Sequence, residues 1–369
     1  MSQSEMIREG EEMLAVCNAC RYCEGFCAVW PAMEFRRSFA EADLNYLANL
    51  CHNCSECYYA CQYAPPHEWE VNPPLTFAKI RAQNYEQFAW PKPLASAFRA
   101  NALVVSLVTA LMLMVFLFGA TQALGGKSLG TPVPGGDFYQ ITPHEVLVLA
   151  FGAAGLFAVL ALLVGIVRFW RNTGEQTSDL TNPPAIMLAI KEVLALKYLD
   201  QSGWGCAYPD ENSSQSRRWF HHFTFYGFLL CFASTSVAAF YYFVLGWKGP
   251  YGYASLPVIL GTLGGLGLLI GPAGLYFLKL RRNRDLEDEK QYGMEVAFIT
   301  MLLLTSATGL LLLILRETAA MGPLLVVHLG IVMALFLTLP YGKFVHGVYR
   351  CAALVKYALE RKRKHALGV

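Results

Sequence analysis

The sequence has little charge, and its positive and negative charges nearly balance. Charged residues make up 15% of the 369 residues, and 29 Lys and Arg against 27 Asp and Glu give a net charge of +2. A protein that binds nucleic acid through its phosphates usually carries a clear excess of positive charge. The balance therefore argues against nucleic acid as a partner.

The first sixteen residues lack the apolar core of a secretory signal peptide. They contain four Glu, whereas a signal peptide has a basic start followed by an apolar run of about 7–15 residues. We therefore expect the N-terminal region to stay in the reducing cytoplasm. Closely spaced cysteines in that compartment more often bind metal than form disulfides.

Motifs for chemistry on a bound substrate are also missing. The stretch Gly264-Gly265-Leu266-Gly267 lies inside an apolar segment rather than after a strand, so it predicts close helix packing and not a dinucleotide site. No C-x2-C pair is followed by His, which excludes covalent attachment of a c-type haem. We find no convincing pair of nucleophile and base, and therefore expect one-electron transfer without a flavin or nicotinamide of the chain's own.

Apolar residues are abundant and unevenly distributed. They make up 55% of the chain, and its mean hydropathy is +0.37. A helix that crosses a bilayer needs about 20 mostly apolar residues. The sequence therefore predicts an all-α protein: a polar, cysteine-rich domain at 1–98, a six-helix transmembrane bundle within 99–349 and a basic tail at 350–369. The predicted spans are 103–124, 144–167, 223–244, 256–278, 294–315 and 323–347.

Lys and Arg are concentrated on one side of the predicted bundle, as they are in cytoplasmic loops of membrane proteins. The opposite side carries only Lys127, Lys248 and Arg316. We therefore expect a multi-pass protein of the bacterial inner (cytoplasmic) membrane with both termini in the cytoplasm. The loop 168–218 contains a predicted amphipathic helix at 184–199, which either docks on the N-terminal domain or lies on the membrane surface. The basic side carries Arg168, Arg171, Arg217, Arg218, Lys279, Arg281, Arg282, Arg284, Arg350 and 361–364.

Eight of the eleven cysteines form two copies of the spacing C-x2-C-x2-C-x3-C. A four-iron cluster needs four thiolates at tetrahedral corners, and in two-cluster proteins the fourth Cys of each motif binds the other cluster. The pattern thus predicts two 4Fe-4S clusters. Cluster one would bind Cys17, Cys20, Cys23 and Cys61, and cluster two would bind Cys51, Cys54, Cys57 and Cys27.

Two details shape this prediction. Ala28 and Gln62 stand where a proline usually follows the fourth Cys, and residues 32–50 have a helical pattern, which favours a helical two-cluster ferredoxin-like domain. Structural zinc is the alternative, but zinc sites usually pair two C-x2-C knuckles across longer gaps. We interpret Cys231 as a packing residue and Cys351 as incidental. Cys206, in the loop 168–218, has no predicted partner.

Histidines inside the predicted spans are functional candidates, because ionisable groups are costly there. His328 and His346 lie eighteen residues apart on the predicted sixth span, which is about five turns and about 27 Å. One would then lie near each side of the membrane. The topology pairs His144 with His328, and His222 or His221 with His346. Each pair is able to supply two axial imidazoles to a b-type haem, and interfacial or hydrogen-bonded histidines without a cofactor are the alternative.

These features resemble the tricarballylate/citrate utilisation protein B family over nearly the whole chain. The resemblance rests on the paired cysteine motifs, on Cys206-Ala207-Tyr208-Pro209, and on Arg217-Arg218-Trp219-Phe220-His221-His222 before Tyr226-Gly227-Phe228. It implies a membrane iron–sulfur protein that accepts electrons from a soluble FAD-dependent dehydrogenase of the tricarballylate type. Electrons would pass through the clusters and one or two b-type haems to quinone. The histidine spacing is also similar to the haem b subunit of respiratory nitrate reductase, which favours His222 as the inner ligand.

Other functions compete with this relay. A membrane-bound redox sensor would need an output domain, which the sequence does not display, and a cluster-only relay would use no haem. A zinc-stabilised transporter or scaffold is disfavoured because the spans contain few acidic groups and no evident inverted repeat. A quinone site is plausible where Tyr341 and Lys343 lie close to His346 in sequence.

Overall fold

The computed structural model describes residues 3–123 and 129–366. Lys127, the end of the first predicted span and the last three residues of the predicted tail lie outside the described residues. Within the described ranges helices and their connecting turns make up the fold apart from one short ribbon, β1 (Cys206–Ala207) paired antiparallel with β2 (Ser213–Ser214). The predicted all-α class is confirmed.

The N-terminal domain is a layer of short helices around a common apolar core. Leu14, Leu44, Leu47 and Phe77 are almost completely buried in it. The fifth helix begins where Asn72 accepts a hydrogen bond from Leu75 N, and prolines fill its first two positions, where a missing N–H costs nothing. The helices are α1 (Gln3–Cys20), α2 (Val29–Glu34), α3 (Glu41–Leu50), α4 (Glu56–Tyr59), α5 (Pro73–Gln87) and α6 (Lys92–Ala100).

Six later helices are long and apolar enough to cross a membrane. Large apolar side chains such as Phe116 and Leu149 point outwards from them, with 69% and 76% of their surface exposed. An exposed apolar surface of this extent is stable in lipid and not in water. The six helices are α7 (Ala102–Ala123), α8 (His144–Asn172), α10 (Ser216–Phe243), α11 (Leu256–Leu280), α12 (Glu289–Ile314) and α13 (Met321–Thr338).

Helices α10 and α11 pack closely along a line of glycines. A Cβ atom added to Gly264 would lie 2.8 Å from Cys231 N, and one added to Gly267 would lie 2.9 Å from Phe223 O. Because backbone atoms cannot move aside as a side chain can, only glycine fits at these positions. The packing role predicted for the glycine-rich stretch is therefore confirmed.

The predicted sixth span, 323–347, is wrong at its C-terminal end. Helix α13 ends at Thr338, and a separate helix, α14, runs over Val345–Ala366. Pro340 has no N–H to continue the helical bonding, and the following N–H groups of Tyr341 and Gly342 both turn back to Thr338 O. His328 and His346 thus lie on different helices, and the prediction that one span carries both is wrong.

Helix α14 is a buried part of the fold, where the sequence predicts a basic tail from residue 350. Ala353 and Leu354 on this helix are almost completely buried, and Glu360 forms an ion pair of 2.5 Å with Arg36 of the N-terminal domain. Helix α9 (Pro183–Leu194), in the loop 168–218, packs on α14. Its opposite face exposes Met187, so this helix covers α14 with one side only.

Candidate functional site

The first set of cysteines surrounds a cavity in the N-terminal domain. Cys17 and Cys20 lie on the last turn of α1, Cys23 lies in the turn after it, and Cys61 follows α4. These four thiols line a cavity of about 490 Å³ together with Tyr63, whose N–H donates to Cys61 Sγ at 3.4 Å. Burial raises the pKa of the Cys17 thiol, and the charges of Cys61, Cys23 and Cys20 raise it further.

The second set lies deeper. Cys51 and Cys54 are buried in the loop that follows α3, Cys57 is on α4, and Cys27 comes from the turn after α1. All four line a smaller second cavity. Burial raises the pKa of Cys27 to about 12, with the nearby charge of Cys51 as the next cause. Asn53 N–H donates to Cys51 Sγ at 3.3 Å.

Cys61 therefore sits with the first motif and Cys27 with the second, which is the exchange that the spacing predicts. Each set of four thiols is the donor set of a four-iron cluster, whose properties depend on hydrogen bonds to sulfur and on burial. Cys57 lines both cavities. Among the described residues, no three His, Cys, Asp or Glu side chains come close enough to hold a single metal ion. The thiols of each set are spread around a cavity and fit a polyatomic cluster; that they bind iron stays a prediction.

His346 lies next to His221 and not next to His222. The ring centroids of His221 and His346 are 6.1 Å apart, while His222 contacts Trp219 and Tyr226 at 6.0 and 5.7 Å. Consecutive residues on a helix point about 100° apart, so only one of the two adjacent histidines is able to face His346. The structure therefore places His221, and not the predicted His222, beside His346; that either one binds haem stays a prediction.

The pair His221–His346 fits a metal placed between the rings. A bond from metal to imidazole nitrogen is about 2 Å long, so two rings at this separation are able to reach one ion. His346 Nδ1 is hydrogen bonded to the carbonyl of Lys343 and leaves Nε2 available, while His221 Nδ1 is buried without a partner in the described part of the chain. Burial, then the charges of Arg350 and Lys343, hold the pKa of His346 well below its usual range, so the imidazole is neutral, as a ligand must be.

The geometry does not bring the predicted outer pair, His144 and His328, together. The ring of His144 stacks on Tyr242 with centroids 3.6 Å apart. His328 Nδ1 lies 2.9 Å from Thr308 Oγ1. Each histidine thus has a different protein partner, and the outer haem site has no geometric support.

Both halves of the chain match family models. Residues 10–87 match the model described as the Citrate utilization protein B Fer4-like domain, and residues 96–367 match Citrate utilization protein B. The chain is also 51% identical over 362 residues to Citrate utilization protein B of Escherichia coli, an alignment that covers 98% of this chain and 94% of the relative. This chain belongs to the citrate utilisation protein B family. No solved structure matches it.

Membership of the citrate utilisation protein B family, with its Fer4-like domain, agrees with the two cysteine sets. The matched ranges together cover the N-terminal domain, the six membrane-type helices and α14. An iron–sulfur electron-transfer role in a multi-pass membrane protein is the function that these findings support.

Cys206 is a functional candidate that the sequence leaves without a role. Strand β1 buries it completely, and its Sγ donates to Leu199 O at 3.6 Å. Gln201 Nε2 donates to Cys54 Sγ at 3.2 Å, and Ala207 N–H donates to Glu56 Oε2 at 3.1 Å. Cys206 thus packs in the same apolar cluster as Cys54. The Cys206-Ala207-Tyr208-Pro209 segment was the one sequence signal for this contact.

Proposed function

We propose that this protein transfers electrons from a soluble FAD-dependent dehydrogenase of the tricarballylate type to quinone in the bacterial cytoplasmic membrane. Two 4Fe-4S clusters and one b-type haem would carry the electrons. The observation that carries the proposal is the position of the cysteine sets. The first lies near the surface of the N-terminal domain, and the second lies against the ends of the membrane-type helices.

The surface beside cluster one suits an incoming electron donor. Tyr22 and Trp69 are 69% and 54% exposed there. The Trp69 ring packs on Tyr63 with centroids 4.9 Å apart, and Tyr63 N–H reaches Cys61 Sγ. A flavoprotein docked on this aromatic surface would place its reduced flavin close to cluster one.

Cluster two lies where an electron would leave the N-terminal domain. Cys54 shares an apolar cluster with Leu278 of α11 and Phe220 of α10. Phe220 directly precedes His221, and the buried His52 directly follows Cys51. These contacts support transfer from cluster two to the site of His221 and His346.

A b-type haem held by His221 and His346 would supply a one-electron carrier at this end of the bundle. The chain's own contribution is to keep both imidazoles neutral and oriented, through burial and the hydrogen bond between His346 and Lys343. The groups predicted near a quinone already have protein partners: Tyr341 donates to Trp90 O at 3.1 Å, and Lys343 pairs with Glu295 at 2.6 Å. The position of the quinone stays a prediction.

The test is a quantitative analysis of the full-length protein purified in detergent. We expect about eight non-haem irons per chain, about one b-type haem in the dithionite-reduced minus oxidised spectrum, and rapid reduction by the flavoprotein once its substrate is added. In the variant Cys54→Ser, about half of the non-haem iron should be lost. Zinc in place of iron would refute the proposal in favour of a scaffold. Full cluster content without haem would leave a cluster-only relay.

A further inference from the structure

Four buried or half-buried arginines converge on residues 51–55, which we call the cluster-two loop. They come from four separate elements: α5, α10, the end of α11 and α14. Each donates to a neutral oxygen of the loop. The bonds are Arg81 Nη1 to Cys51 O (3.3 Å), Arg350 Nη2 to Cys51 O (2.6 Å), Arg217 Nη1 to Asn53 O (2.9 Å), Arg217 Nη2 to His52 O (3.0 Å), Arg282 Nη2 to Asn53 Oδ1 (3.3 Å) and Arg282 Nη2 to Ser55 Oγ (3.2 Å).

The positive charge of these arginines is largely uncompensated. Arg282 has a carboxylate, Glu287, at 3.9 Å. Over residues 3–123 and 129–366, no carboxylate lies within 4 Å of the guanidinium of Arg81, Arg217 or Arg350. Their partners at the loop are uncharged carbonyls, which satisfy the N–H groups without cancelling the charge.

Cluster one has a different electrostatic environment. The charged side chains that line its cavity are Arg21 and Glu24, which are of opposite sign and exposed to solvent. Arg21 donates to Asn18 O at 3.0 Å within the first cysteine motif, and its side chain stays exposed. Exposed charges act through water and are screened by salt, whereas buried charges interact far more strongly.

Reduction adds one negative charge to a cluster that already carries four thiolates. Nearby positive charge stabilises the reduced state, and so do hydrogen bonds to the cluster's sulfur ligands. Cluster two has both, from the four arginines and from Gln201 Nε2 at Cys54 Sγ. Its burial acts in the opposite direction, because desolvation disfavours added charge, but the buried guanidiniums offset this penalty locally.

We infer that the four arginines raise the reduction potential of cluster two above that of cluster one and so direct electrons from the surface to the membrane. This inference rests on the proposed function. In the step concerned, one electron leaves reduced cluster one, which returns to its oxidised state, and oxidised cluster two is reduced. No bond forms or breaks and no proton moves. The reduced flavoprotein then reduces cluster one again.

Two of the arginines also tie this loop to the candidate haem ligands. Arg217 lies four residues before His221 on α10, and Arg350 lies four residues after His346 on α14. Residues four apart share one face of a helix. Each helix therefore presents a histidine and an arginine in the same direction, so that the group accepting the next electron lies beside the cluster-two loop.

The test is a redox titration followed by electron paramagnetic resonance on the full-length protein in detergent. The variant Cys20→Ser, which removes a cluster-one ligand, identifies the cluster-two signal. Wild-type cluster two should titrate at the higher potential. Arg217→Gln and Arg350→Gln should each lower the reduced-to-oxidised ratio of cluster two at fixed potential about tenfold, which is about 59 mV for one electron. The potential of cluster one should not change. Arg217→Lys, which keeps the charge, should retain most of the wild-type potential.

Arg168→Gln is the matched control, because Arg168 also donates to a backbone carbonyl, that of Ala89 at 2.8 Å, away from the cluster-two loop. It should move neither potential. A wild-type cluster two at or below cluster one would overturn the inference, even if the Gln variants failed to assemble a cluster. Shifts in the Arg217 and Arg350 variants no larger than the control's would do the same. Clusters with reversed potentials would leave the proposed function standing, whereas absence of cluster signals would refute both.

Discussion

Glu295 holds together a buried ionic group at the end of the bundle next to the candidate haem site. Its two carboxylate oxygens pair with Lys279 Nζ at 2.5 Å and with Lys343 Nζ at 2.6 Å. The three side chains are 19%, 4% and 18% exposed, so water screens them little. We predict that Glu295→Gln strongly destabilises the protein, because it leaves the buried ammonium group of Lys343 without a carboxylate partner.

The size of the effect follows from what remains after the substitution. Removing one member of a buried ion pair typically costs about 3–5 kcal/mol, since the other charge stays buried without compensation. Lys279 keeps Glu287 at 2.8 Å, whereas Lys343 keeps only the amide of Gln291 at 3.3 Å. Most of the cost should therefore come from Lys343. Adding Lys343→Met to Glu295→Gln should recover part of it.

The free energy of unfolding is measured by denaturant titration in detergent, followed by tryptophan fluorescence. Haem content is measured on the same samples, because the Lys343 carbonyl orients His346. Glu12→Gln is the control. Arg8 Nε and Glu12 Oε1 are 3.8 Å apart, and both side chains are more than 70% exposed, so this ion pair contributes little to stability. If Glu295→Gln were as stable as this control, the reasoning from burial would be refuted.

Two further substitutions test the site and the bundle. His221→Ala should lose the b-type haem bands, while His222→Ala should keep them, because His221 alone faces the ring on α14; the reverse result would restore the ligand favoured by the sequence. Gly227→Leu should lower the thermal unfolding midpoint, since a Cβ there would lie 2.9 Å from Gly264 O and overpacking costs about 1–3 kcal/mol. Gly152→Leu should leave the midpoint unchanged, because nothing lies within 4 Å of the added Cβ. Equal midpoints for the two variants would contradict the close packing of α10 and α11.

The features that follow from local spacing were predictable. The cysteine motifs constrain their ligand geometry within a few residues, and the thickness of a bilayer sets the length of each span, so the two sets and the six helices could be predicted from the sequence. The exchange of Cys27 and Cys61 was predictable for the same reason. Each of the two identical motifs supplies three ligands to its own cluster, and its fourth cysteine completes the ligand set of the other cluster.

Features that depend on rotation or on distant contacts were not predictable. Hydropathy continues through Pro340, so it does not reveal that α13 stops at Thr338. Whether His221 or His222 faces inwards depends on the rotation of α10, which its glycine contacts with α11 determine. The arginines of the cluster-two loop come from residues up to 299 positions away. No sequence period marks such a contact, and Arg350 was therefore expected in a tail.

Helix α14 also has a consequence for the order in which the molecule is made. The N-terminal cysteines leave the ribosome early, and domains generally fold as they emerge, at about 5–20 residues per second. Arg350, which covers Cys51 O, follows that cysteine by 299 residues, a delay of about 15–60 s at this rate. During this interval the cluster-two loop lacks its contact with Arg350, so it is less covered than in the finished molecule. Completion of α14 then adds the last of the four arginine contacts to this loop.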